Sequence, residues 1–133
     1  MITLVSVDKI DHVWPHVREA LEAACRRTGG DLTTATLWAG CRRSDNYLIV
    51  AHDGERIQAA SVWKPENWSS GRKLRCLAVA GVGMKDWLQP MREEAAKLAK
   101  LLGATAFVAD GRTGWQRTFP RARVVRVVLE EEL

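Results

Sequence analysis

Three places in the chain hold residues whose types and spacing suit chemistry. Gly81-Val82-Gly83 stands directly before a long amphipathic stretch that opens at Met84. A helix that starts there leaves its first N–H groups without intrahelical partners, and these groups favour an anion. Glycine also ends strands for steric reasons, so the pair alone is a weak signal. Asp86, followed three residues later by Gln89, has the spacing of a capping box and is expected to cap this helix. Arg112 lies in the second place, the turn Asp110-Gly111-Arg112-Thr113-Gly114. That turn is expected at the C-terminal end of a strand, where open α/β sheets put their ligands. The same guanidinium has a structural alternative, stacking on Trp115 or bonding a local carbonyl. The third place is the run 112–126, with Arg112, Arg117, Arg121, Arg123 and Arg126 and no acid. It suits a phosphate-bearing ligand, a nucleic acid or an acidic partner, and equally a solvated face.

Other chemistries find little support. His12 and His16 are four apart, but Pro15 between them disturbs helical geometry, and His52 stands alone. With no HExxH and no Cys/His set, no metal site is expected. No G-x-S-x-G elbow is present. Cys25, Cys41 and Cys76 are odd in number and lack CxxC spacing, which reads as reduced thiols in the cytoplasm.

The elements that must position these residues follow from periodicity. Residues 2–7 read as a strand. Val13, Val17, Ala20, Leu21, Ala24 and Thr28 keep one helical face, with Pro15 in the first turn and Gly29-Gly30 as the stop. Thr33 caps a shorter helix that Gly40 is expected to end. Residues 47–51, 56–63 and 73–80 predict an antiparallel meander, with Asp53-Gly54 at its first turn and a loop over 64–72. Met84, Trp87, Leu88, Met91, Ala95, Leu98, Ala99 and Leu102 share one face of the next helix, which Gly103 closes. A strand over 104–109, one helical turn at 115–119 and a last strand over 123–129 complete the order β-α-α-β-β-β-α-β-α-β.

The whole is one domain, 1–133, of α+β or mixed α/β class. At 47% hydrophobic and 27% charged residues it has the composition of a globular protein, not of a disordered chain. No transmembrane segment or signal peptide is expected. Residues 67–133 carry 12 basic and 7 acidic side chains, against 8 and 9 before them, so the positive field lies toward the C-terminal half. Six tryptophans against two Phe and one Tyr point to a Trp-built core, or to tryptophans at a wet interface.

This order of elements resembles the GNAT superfamily of N-acyltransferases, over nearly the whole chain. The resemblance implies a central sheet of six to seven strands, mostly antiparallel. It also implies acetyl-CoA or another acyl-CoA where the fourth strand parts from the fifth. The family pattern R/Q-x-x-G-x-G/A matches Gly81-Val82-Gly83, with Ala78 where Arg or Gln is usual. On that reading Ala80, Gly81, Val82, Gly83 and Met84 bind the pyrophosphate, and Arg112 joins them. The usual base is a Glu near the thioester and the usual acid a Tyr after the fifth strand. Residues 73–80 hold no carboxylate, 114–119 no Tyr, and the only Tyr is Tyr47; Glu66 is left as a loop carboxylate that can reach in. The segments 110–115, 38–40 and 84–88 are similar to small phage-encoded GNAT-like proteins. Three functions follow as expectations: an acyltransferase; a catalytically degenerate phage module that binds a protein or joins a virion; and a weak nucleic-acid binder through Arg121, Arg123 and Arg126. The place is then the host cytoplasm or the virion.

Overall fold

The computed structural model describes residues 1–27, 30–111 and 115–133. Its elements are β1 (Ile2–Leu4), a 3-10 turn (Val7–Lys9), α1 (Ile10–Arg27), α2 (Thr34–Arg42), β2 (Tyr47–His52), β3 (Ile57–Trp68), β4 (Gly71–Gly81), α3 (Met84–Leu101), β5 (Ala106–Ala109) and α4 (Trp115–Thr118). The strands form one sheet in the order β1-β2-β3-β4-β5. The first three pairings are antiparallel, and β5 joins β4 in parallel through the α3 crossover.

Both faces of the sheet are covered, which explains why β2 reads as a continuous apolar run. Successive side chains alternate between faces. Leu48 and Val50 therefore join Val62, Ala78 and Ala80 under α1 and α2, against Trp14, Val17, Leu21 and Leu37. Ile49 and Ala51 join Ala59, Trp63 and Leu74 under α3, against Trp87, Met91, Ala95 and Leu98. The predicted α3 face holds from Trp87 on, while Met84, in the turn ahead of the sheet contact, is exposed. On α1 the buried stripe is Ile10, Trp14, Val17, Leu21, Ala24 and Cys25, while Ala20 is exposed. The helix begins before Pro15, so the stripe starts one turn earlier than the sequence suggests.

The meander forms as expected. Asp53 Oδ1 accepts from the N–H groups of Glu55 and Arg56 at 3.0 and 2.8 Å, tying its first turn. Three expectations fail for identifiable reasons. Residues 64–72 are not a loop: β3 runs on to Trp68 and pairs with β4 down to Trp68↔Gly71. Pro65 is tolerated because β2 ends opposite Trp63, leaving that side of β3 as an edge. Gly40 does not stop α2. It lies inside the helix, and a Cβ there would collide with the Asn46 side chain. Finally, the sheet has five strands, not six or seven, and 123–129 is not a strand. Val124-Val125 and Val127-Val128 put apolar groups on both sides of that segment. No strand lies beside it among the described residues and all of it is exposed, and β-propensity without packing is insufficient.

Candidate functional site

A notch opens where β4 and β5 part. Their pairing runs from Lys73↔Ala106 to Cys76↔Ala109 and stops, while β4 continues for five residues to Gly81. At the same point Val62 faces Ala78 and Trp63 faces Cys76, leaving Leu77 as an extra residue in β4. Such a bulge bends the strand and increases its twist. Residues 78–81 stay paired with β3 and have no pairing with β5. The β5-facing edge of 77–81 has no strand partner among the described residues.

The far wall of the notch is the turn into α3. Gly81 packs so closely on β3 that a Cβ would overlap Ala59 and the Gln58 carbonyl oxygen. The Val82 N–H donates to Gln58 O at 3.0 Å, and Trp87 Nε1 donates to Val82 O at 2.7 Å. Gly83, at φ +69°, is the N-cap of α3, and among the described residues no side chain bonds the helix start. Asp86 is therefore not the cap that its spacing predicts. It is the third helical residue, where its own N–H donates to Gly83 O at 2.9 Å. Its exposed carboxylate lies 3.5 Å from the place a Gly83 Cβ would take. Glycine can adopt the left-handed N-cap conformation, so no Asp is required to start this helix.

Ala80, Gly81, Val82, Gly83 and Met84 are thus brought together as one continuous bend, with Ala80 buried and the other four exposed. Arg112 lies outside the described residues.

Next to the notch, on the other side, is a polar cluster that sequence reasoning missed in part. Arg75 is buried and donates from Nε to Glu66 Oε2 at 2.8 Å and from Nη1 to Asp110 Oδ2 at 2.6 Å. Trp68 Nε1 donates to Glu66 Oε1 at 3.1 Å. Glu66 is consequently a strand residue held by two donors, not a loop carboxylate free to reach in. Burial raises its carboxyl, but the Trp68 and Arg75 hydrogen bonds outweigh that and hold it below the usual range. A carboxylate stabilised in its ionised form is a poor proton acceptor. The signal for Asp110 was available: it directly follows β5, where the strands separate. Arg75 showed no signal, because a charged residue in a strand reads as an outward one.

Other reactive types are committed elsewhere. Tyr47 is half-buried in β2, opposite Trp63. Ser61 is buried and takes the Trp63 indole N–H at 2.7 Å. Cys76 ends the β4–β5 pairing, but burial pushes its thiol up to about 12, as it does that of Cys41. Neither is a ready nucleophile. No group of three potential metal ligands occurs among the described residues, and no helix is long and apolar enough to cross a membrane.

No protein-family model matches the sequence, and no curated protein does. Solved structures do match. A GNAT family acetyltransferase from Staphylococcus aureus subsp. aureus aligns over 100% of this chain and 98% of its own, at TM-score 0.67 and 10% identity. A ribosomal-protein-alanine N-acetyltransferase from Brucella melitensis biovar Abortus aligns over 100% and 99%, at TM-score 0.69 and 10% identity. An aminoglycoside acetyltransferase from an uncultured soil metagenomic sample, in complex with sisomicin, aligns over 100% and 95%, at TM-score 0.71 and 11% identity. At these identities the likeness is one of architecture. With its α-α-capped meander, bulged β4 and parallel β5 beyond the α3 crossover, the chain has the fold of the GNAT acetyltransferases.

Proposed function

We propose that the chain is an N-acyltransferase that takes its acyl group from acetyl-CoA or another acyl-CoA. The observation that carries this reading is the parting of β4 from β5 beside a helix start that no described side chain caps. The residues present fit such a donor. Its pyrophosphate suits the N–H groups of the exposed bend Gly83-Met84-Lys85, aided by the helix dipole. The unpaired edge of residues 77–81 suits the amides of an extended arm, as a strand edge suits an added strand. When bound, the donor supplies an activated thioester carbonyl.

The protein's own contribution is then mainly placement. Holding an amine against a thioester converts an encounter into an intramolecular step, worth up to about 7–11 kcal/mol in well-oriented cases. Glu66 is engaged with Arg75 and Trp68, and the described α4 residues, Trp115–Thr118, include no Tyr. The ammonium proton of the acceptor is therefore passed to water.

That same commitment of Glu66 favours a second reading, a GNAT-fold module of phage type that has lost catalysis and binds a protein. A thermal-shift titration with acetyl-CoA separates the two. A ligand that binds only the folded state stabilises it by about 2.7 kcal/mol at a hundredfold excess over its dissociation constant. A clear rise in Tm is expected; an unchanged Tm at millimolar acetyl-CoA overturns the acyltransferase reading in favour of the module.

A further inference from the structure

Segment 121–132 leaves α4 and runs outside the sheet. Phe119, just before it, has the Arg92 guanidinium of α3 over its ring at 5.6 Å. Arg126, within it, lies over the Trp68 ring at the tip of the β3–β4 hairpin, at 5.2 Å. Every residue of the segment is exposed. Val124, Val125, Val127, Val128 and Leu129 are between 54% and 89% exposed. A monomer rarely leaves so contiguous an apolar run in water. Arg121, Arg123 and the three glutamates 130–132 have no ion-pair partner among the described residues.

The order of side chains answers what would cover it. The arginines Arg121, Arg123 and Arg126 fill the first half, the glutamates Glu130, Glu131 and Glu132 the end, and valines and a leucine lie between. A two-fold axis through an antiparallel strand pair keeps each residue on the same face in both copies. Residues directly opposite must therefore share parity. Centred on Val127, such a pair puts Val127 opposite its own copy, Val125 opposite Leu129, and Arg123 opposite Glu131, the last two twice. One face then carries six apolar side chains closed at both ends by an ion pair. The other face sets Arg126 opposite Val128 and Val124 opposite Glu130, with Arg126 diagonal both to Glu130 and to its own copy. A parallel pair would stack arginine on arginine. The uncharged β5, Ala106–Ala109, has nothing to offer the charged ends.

We propose that two copies of this chain associate through segment 121–132 as a two-fold antiparallel β-ribbon in this register. The occupant of the exposed apolar run is the same run of a second copy.

Sedimentation equilibrium of the intact chain over a wide concentration range tests it. The wild type is expected to dimerise reversibly. Arg123→Glu or Glu131→Arg alone sets like charges opposite each other at both ends, and each should weaken dimerisation by about tenfold or more. The double variant Arg123→Glu/Glu131→Arg restores opposite charges and should recover the wild-type constant. Unchanged circular dichroism in the single variants keeps folding out of the comparison. A wild type that stays monomeric at every concentration overturns the proposal. So does a double variant no tighter than the singles. A monomer that takes up duplex DNA with a steep salt dependence also overturns it, assigning the arginines to phosphate instead.

Discussion

At the residue scale, the Glu66–Arg75–Asp110 cluster makes the sharpest claim. Arg75 has a side chain only 10% exposed and is shared by two carboxylates. Removing it with Arg75→Met leaves a partly buried Glu66 without its main partner and should cost about 3 kcal/mol in urea unfolding. The pH dependence has a fixed sign. The folded-state carboxyl of Glu66 titrates below its usual value. Its contribution is thus fully present above the unfolded value, about 4.3, and is lost as pH falls through the folded one. Glu66→Gln should flatten the fall in stability on acidification below pH ~4.5, and an acid limb as steep as that of the wild type would refute the pairing. Asp86 makes the opposite kind of claim. Because its carboxylate caps no N–H and only faces the helix dipole from the first turn, Asp86→Ala should cost no more than about 0.3–1 kcal/mol. It should also tighten acetyl-CoA binding several-fold in calorimetry, since an exposed carboxylate repels a neighbouring phosphate by about 1 kcal/mol at ~4 Å in water. These residues mark the limit of sequence reading at the site. The bend at residues 80–84 was legible because Gly-x-Gly between a strand and an amphipathic run breaks both periods. The state of Glu66 was not, because it depends on a cross-strand partner nine positions away.

At the element scale, α3 and β4 carry the architecture. Leu98 is 4% exposed in the face that packs on Ile49, Trp63 and Leu74. Leu98→Ala should cost about 2–5 kcal/mol, the range for deleting a buried leucine; a cost under ~1 kcal/mol would mean that this face is not core. Gly81 needs its missing Cβ for another reason. The collision an alanine would make is with β3 backbone, at Gln58 O and Ala59 Cα. Backbone cannot rotate aside as a side chain can. Gly81→Ala should therefore cost about 1–3 kcal/mol and loosen the turn that Trp87 holds. Helix faces were legible from the 3.6-residue period, and α3 was read nearly residue for residue. The Leu77 bulge was not legible at all, since an extra residue in a strand disturbs only the pairing, and pairing is not written in one strand. The long β3–β4 hairpin was hidden by Pro65, which reads as a breaker until the missing neighbour strand is seen.

At the scale of the whole molecule, the order of elements sufficed for the fold, because short antiparallel links and one helical crossover leave few ways to close a sheet. The count of strands failed only at 123–129, where a segment with alternating apolar residues has no neighbouring strand among the described residues. The two regions with a functional proposal lie at opposite ends of β4. Arg126 of the segment proposed to pair lies over Trp68, which pairs with Gly71 at one end, and the bend proposed to hold a phosphate begins at Gly81 at the other. Eleven strand residues at about 3.3 Å each separate these ends by roughly 30 Å. That is well beyond a Debye length of about 8 Å at physiological salt. Substitutions that far apart, with no shared partner, act additively to within about 0.5 kcal/mol. Arg123→Glu should therefore change the association state while leaving the acetyl-CoA-induced shift in Tm the same as in the wild type, with the wild type measured at a concentration where it is dimeric. If the shift disappears with the dimer, the second copy completes the notch, and the site belongs to the pair and not to one chain.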